Sequence, residues 1–74
     1  MALGPESVIV QDPDIHSGEP VFRGTRVPFQ TLLDYLEGGE TLDEFLEQYP
    51  GVSRGQAIAA LEEAKALVLA RFGK

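Results

Sequence analysis

The chain has 74 residues, no cysteine, a single histidine, and twelve acidic side chains against six basic ones, for a formal net charge of −6. That composition excludes a disulfide framework, a thiolate metal site and a large core, and its charge opposes long-range attraction to nucleic acid. Domains this small seldom gain more than roughly 3–5 kcal/mol from one core, so self-association, at least a homodimer, is the expected supplement.

Met1 to Ser7 is small and polar around Gly4-Pro5 and reads as a loose terminus. It has no basic segment followed by an apolar one, and no apolar run approaches the ~20 residues of a membrane span. The expectation is a soluble cytoplasmic protein without membrane contact, and the absence of cysteine fits a reducing compartment. Val8-Ile9-Val10, three β-branched residues in a row, reads as a short strand. Its edge, in so small a sheet, is an expected place for another chain to pair. Gln11-Asp12-Pro13-Asp14 then breaks the strand, and Ile15 is a candidate anchor packing back on the core.

The run Gly18-Glu19-Pro20-Val21-Phe22-Arg23-Gly24-Thr25-Arg26-Val27-Pro28 organises the remainder. Gly24 accepts a positive φ, so Arg23-Gly24-Thr25 is read as a tight reversal between the short strands Val21-Phe22 and Val27. Pro28 is expected to end the ladder and to open a helix as its first residue.

After Pro28 the apolar period changes from two to 3.6. Phe29, Leu32, Leu33 and Leu36 form one helical face, ended by Gly38-Gly39. Thr41-Leu42-Asp43-Glu44 is a capping box, and it starts a second helix with Leu42, Phe45, Leu46 and Tyr49 on one side. Pro50-Gly51 stops that helix. Ser53-Arg54-Gly55-Gln56 repeats the cap and starts a third, with Ile58, Leu61, Ala64, Val68 and Phe72 expected as its inward stripe. Residues 66–70 are apolar nearly all round, which calls for a second protomer to cover Leu67 and Leu69. With Val8, Ile9 and Val10 these are the candidate dimer residues. The whole is one domain, 1–74: a β arm and hairpin over 8–28 and a three-helix bundle over 29–74. It is mainly α, a tri-helical helix-turn-helix bundle with a small N-terminal β-hairpin.

In that motif the last helix enters the major groove with its N-terminal residues on base edges. Here those are Arg54 and Gln56, suited to guanine and adenine, with Ala59 or Ala60 allowing close approach. Glu62 and Glu63 would face phosphates or solvent. Arg23 and Arg26 are candidate phosphate contacts, but bridges to Glu19 or Asp34 within the fold explain them equally well. Asp12, Asp14 and His16 alternate, yet Asp-Pro-Asp reads as a solvated turn, so no metal or cofactor is expected. Tyr35, Tyr49, Phe22 and Phe29 read as core aromatics. With one histidine, no cysteine and no Gly-rich phosphate loop, no enzyme is expected.

The run from Gly18 to Pro28, followed by the helix pair with Gly39, Tyr49-Pro50 and Ser53, resembles the domain of unknown function 433 family over about residues 8–65. Its signature, G-x-P-x-x-x-G-T-R-[IV]-x, is met at Gly18, Pro20, Gly24, Thr25 and Arg26. The resemblance implies a homeodomain-like or winged-helix-like fold, often dimeric. Members are often encoded beside a PIN-like nuclease and are read as VapB-like antitoxins of toxin–antitoxin pairs, with no catalytic residues assigned. The chain lacks the long tail after Phe72 with which many antitoxins wrap their toxin, which moves that role to the arm or the acidic helix faces.

Two functions follow as expectations. One is a dimeric antitoxin-like DNA-binding regulator that reads an operator and also binds a PIN-like nuclease toxin. The other is a protein-interaction module that keeps the helix-turn-helix shape without DNA contact, which the net charge favours.

Overall fold

The computed structural model describes residues 7–14 and 18–73. The terminus expected over residues 1–6, the Ile15 anchor and His16 lie outside the described residues. Two strands, β1 (Ile9–Val10) and β2 (Val21–Phe22), precede three helices, α1 (Phe29–Glu37), α2 (Leu42–Gln48) and α3 (Arg54–Arg71). The protein is thus mainly helical, with a two-stranded antiparallel sheet at its N-terminal end.

β1 and β2 pair in the register Ile9 to Phe22 and Val10 to Val21. The reversal lies where glycine allows it: Thr25 N donates to Phe22 O at 2.9 Å, and Gly24 has φ +81°, the sign a type II turn needs at its third residue. Thr25 Oγ1 fixes the turn, donating to Phe22 O at 2.9 Å and accepting from Val27 N at 3.0 Å. The returning limb is shorter than expected, a single bridge between Val21 and Pro28.

Pro28 departs from expectation in two respects. It does not end the pairing, because Phe22 N donates to Val27 O and Phe29 N to Pro20 O, bracketing a position where no N–H is required of it. It is also the N-cap of α1, with extended backbone, and Phe29 is the first helical residue.

The helix ends follow local chemistry. α1 closes in a Schellman motif: Glu40 N donates to Tyr35 O at 2.9 Å and Gly39 N to Leu36 O at 3.2 Å, with Gly39 at φ +91°. Both capping boxes are complete. Glu44 N donates to Thr41 Oγ1 at 3.1 Å while Thr41 N donates to Glu44 Oε1 at 2.6 Å. Ser53 and Gln56 repeat the arrangement, both bonds at 3.0 Å.

The core holds Phe22, Leu32, Phe45, Val52, Ala57 and Ala60. Phe45 sits in an aromatic chain, with ring centroids 6.2 Å from Phe22, 5.6 Å from Tyr35 and 5.1 Å from Tyr49. Phe29 completes it against Phe22 at 6.1 Å, so the four expected core aromatics all pack together. Of the expected inward stripe of α3, Leu61 packs against the core and Ala64 is half-buried, but Ile58, Val68 and Phe72 do not pack inward. Ala57 and Ala60 face the core, whereas Ile58 is 44%, Val68 53% and Phe72 72% exposed. Ala57 and Ala60 belong to the same buried cluster as Phe22 of the hairpin and Phe45 of α2, and that cluster sets the inward side of α3.

Candidate functional site

The hairpin turn and the start of α3 meet at Gln56. Its Oε1 accepts from Ser53 N in the cap, and its Nε2 donates to Arg23 O at 3.1 Å. Both ends of the amide expected to read adenine are therefore bonded within the fold. Two positions away, exposed Arg54 pairs with Asp43 in the first turn of α2. Such an exposed pair contributes only ~0–1 kcal/mol, so the guanidinium can be exchanged to another partner. Ala60, expected to approach bases, is buried at 1% exposure, and Ala59 is half-buried.

Among the described residues no ion pair joins Arg23 to Glu19 or Asp34. Arg23 Nε and Nη2 donate to Ser7 O at 3.1 and 2.8 Å. The strand register brings it there, because Arg23 N donates to Val8 O at 2.7 Å and the side chain reaches one residue further back. Four of the five signature positions have work inside the hairpin. Gly18 and Gly24 take positive φ, Pro20 O accepts from Phe29 N, and Thr25 bonds the turn twice. Arg26 is exposed and makes no ion pair among the described residues.

The start of the arm is bonded to the middle of α3. Glu63, expected to face solvent or phosphates, accepts from Ser7 Oγ at 2.7 and 3.0 Å and from Val8 N at 3.3 Å. Ser7 Oγ in turn accepts from Ile9 N at 3.0 Å, and Ser7 is only 6% exposed. This lock ties the arm to α3, and it also occupies the strand edge. β1 is two residues long and its outward Ile9 N–H is already bonded, which leaves another strand little to pair with. Glu63 lies three residues beyond buried Ala60, on the inward side of the helix. Glu62 does face outward, 3.3 Å from Lys65.

Beside β1 lies a groove of about 390 Å³ between the arm and α3, with Ile9, Val10, Phe29, Ala64 and Leu67 among its walls. Beyond it α3 continues uncovered: Leu67 is 47%, Val68 53%, Leu69 43% and Phe72 72% exposed. The dimer candidates Val8, Ile9, Val10, Leu67 and Leu69 thus fall into two groups. The first three are half-buried in the arm, and the last two lie on an exposed helix end.

A second, wider groove of about 560 Å³ opens between α1 and α2, faced by Asp34, Glu40, Glu44, Glu47 and Tyr35. Loss of water contact, then Tyr49, Glu40 and Glu44, push the Tyr35 hydroxyl above its ordinary value. The Glu44 carboxyl lies below its ordinary value because it accepts the Thr41 N–H. Asp12 Oδ1 accepts from Asp14 N at 2.9 Å, the turn expected for Asp-Pro-Asp. Among the described residues no helix is long and apolar enough to cross a membrane.

Comparison with known proteins agrees with the resemblance noted in the hairpin. The family model described as "Protein of unknown function (DUF433)" matches residues 9–64, and the chain belongs to that family. The crystal structure of a DUF433 member protein from Anabaena variabilis ATCC 29413 superposes with a TM-score of 0.71 at 30% identity, over 82% of this chain and 60% of that one. The uncharacterized protein y4eO of Sinorhizobium fredii (strain NBRC 101917 / NGR234) is 36% identical over 45 residues, 61% of this chain and 20% of that protein. The chain spans less than two thirds of the length of each of these relatives.

Proposed function

We propose that this DUF433 protein is a protein-interaction module, acting as the regulatory partner of another protein as antitoxins do, and that it works as an assembly of at least two chains. The observation that carries this reading is the far end of α3, where Leu67, Val68, Leu69 and Phe72 stand between 43% and 72% exposed in one short segment. A contiguous apolar surface on so small a protein is what a protein interface covers. Charge supports the same reading. From Asp34 to Glu47 there are six carboxylates and no basic residue, a surface that suits a basic protein and repels a polyanion. A PIN-like nuclease is the partner the family resemblance suggests.

A DNA-reading role has one observation in its favour. The hairpin turn, with Arg23 and exposed Arg26, is bonded to the start of α3 through Gln56, as a wing beside a recognition helix would be. Against it stand the occupied amide of Gln56, the Arg54–Asp43 pair and the burial of Ala60.

The two separate in a titration of labelled promoter DNA at low and moderate salt. The interaction-module reading expects equal, weak affinity for promoter and scrambled duplexes, and no loss in Arg54→Ala. Sequence-dependent affinity that falls with salt and is lost in Arg54→Ala would overturn it. Co-expression with the product of the adjoining reading frame is expected to give a complex that survives gel filtration.

A further inference from the structure

Every described residue of α3 from Lys65 onward is exposed, so the helix runs on for about two turns past its own core. At ~100° per residue, Leu67 and Val68 continue the face that Ala57, Ala60 and Ala64 turn inward, with no element of the same chain above them. Leu67 also forms part of the groove beside β1, so groove and uncovered face are one continuous surface. The family match stops at residue 64, just before this end begins.

Charge changes at the same place. All twelve acidic side chains lie at or before Glu63, while three of the six basic ones, Lys65, Arg71 and Lys74, follow it. The helix end is apolar and positive, and the remainder of the chain is strongly negative. Glu63 is the charged residue among those lining the groove, so a second copy meets this basic end there with a carboxylate set in an apolar wall.

We propose that the groove between β1 and α3 is filled by the α3 end of a second copy, and that the same contact is made in return. This rests on the self-association read above and adds its geometry. The two α3 helices cross antiparallel near Leu67, which belongs both to the groove and to the segment that fills it and so lies nearest the two-fold axis. Ala64, half-buried in the groove wall, is small enough to let the helix axes approach to the ~8–10 Å of ordinary helix packing. Each Phe72 ring then leaves water to lie by the other chain's β1, near Gln11.

The absence of cysteine makes this directly testable, because introduced thiols report only the intended contact. Chains carrying Gln11→Cys are mixed with chains carrying Phe72→Cys and treated with a short bis-maleimide. Both positions are exposed, and circular dichroism verifies that each variant keeps the parent fold. The expected result is that the mixed pair, one chain of each kind, exceeds cross-linked Gln11→Cys pairs by roughly tenfold, since only it holds both thiols at high effective concentration. Dimers in sedimentation without that mixed product would overturn this interface and leave self-association standing. An unmodified chain that sediments as a monomer would overturn both.

Discussion

Replacing Phe45 by alanine is expected to abolish the cooperative fold. The ring is completely buried and is the member of the aromatic chain that touches the hairpin through Phe22, α1 through Tyr35 and the end of α2 through Tyr49. Truncating a buried phenylalanine costs ~3–5 kcal/mol, counting both the lost transfer energy and the cavity left behind. A core of this size supplies about that much in total. Far-ultraviolet circular dichroism during a thermal scan should give a sloping, non-cooperative trace for Phe45→Ala. Phe45→Leu, which keeps most of the volume, should still melt cooperatively at a lower temperature. A sharp transition in Phe45→Ala within a few degrees of the parent would show that the helices do not depend on this ring.

The second large effect is expected at Glu63. Glu63→Ala leaves the nearly buried Ser7 hydroxyl and the Val8 N–H without their acceptor, and an unmet buried donor costs ~1–3 kcal/mol. The loss should be local before it is global, because the lock joins the arm to α3 while the aromatic chain lies elsewhere. Urea unfolding should therefore show a lowered midpoint, and amide exchange should accelerate at Ile9, whose N–H is bonded to Ser7 Oγ. Ser7→Ala combined with Glu63→Ala should cost less than the two single changes added together, since each already breaks the same bond. Strict additivity would mean that Ser7 and Glu63 act independently.

The contrast between these residues explains what the sequence reveals. Helix limits are legible because caps are local: Thr41 with Glu44, Ser53 with Gln56, and Gly39 two residues past the last helical residue of α1 all act within one turn. The turn at Gly24 is legible for the same reason. The inward face of α3 is not, since alanine and larger apolar residues surround that helix and periodicity gives no direction. Ala57 and Ala60 face inward because they pack into a cluster with Phe22, Leu32, Phe45 and Val52 from other parts of the chain, which is a tertiary fact. The Glu63 lock joins residues 56 apart in sequence, and no local pattern announces such a bond.

The candidate site follows the same division. Arg54 and Gln56 stand at the start of a third helix, a pattern shared by DNA-reading helices and by ordinary capped ones. Their hydrogen bonds separate the two uses, with Gln56 spent on the cap and on Arg23 O. The exposed end of α3 was legible as an apolar run that one protomer has no means to cover. The groove beside it was not, because it is built from β1, α1 and α3 together.

Sedimentation equilibrium of the unmodified chain, at micromolar concentration and moderate salt, tests most directly whether α3 ends in an interface. A species of twice the 8.0 kDa chain mass that dissociates on dilution is expected. A single 8.0 kDa species across the whole concentration range would contradict it.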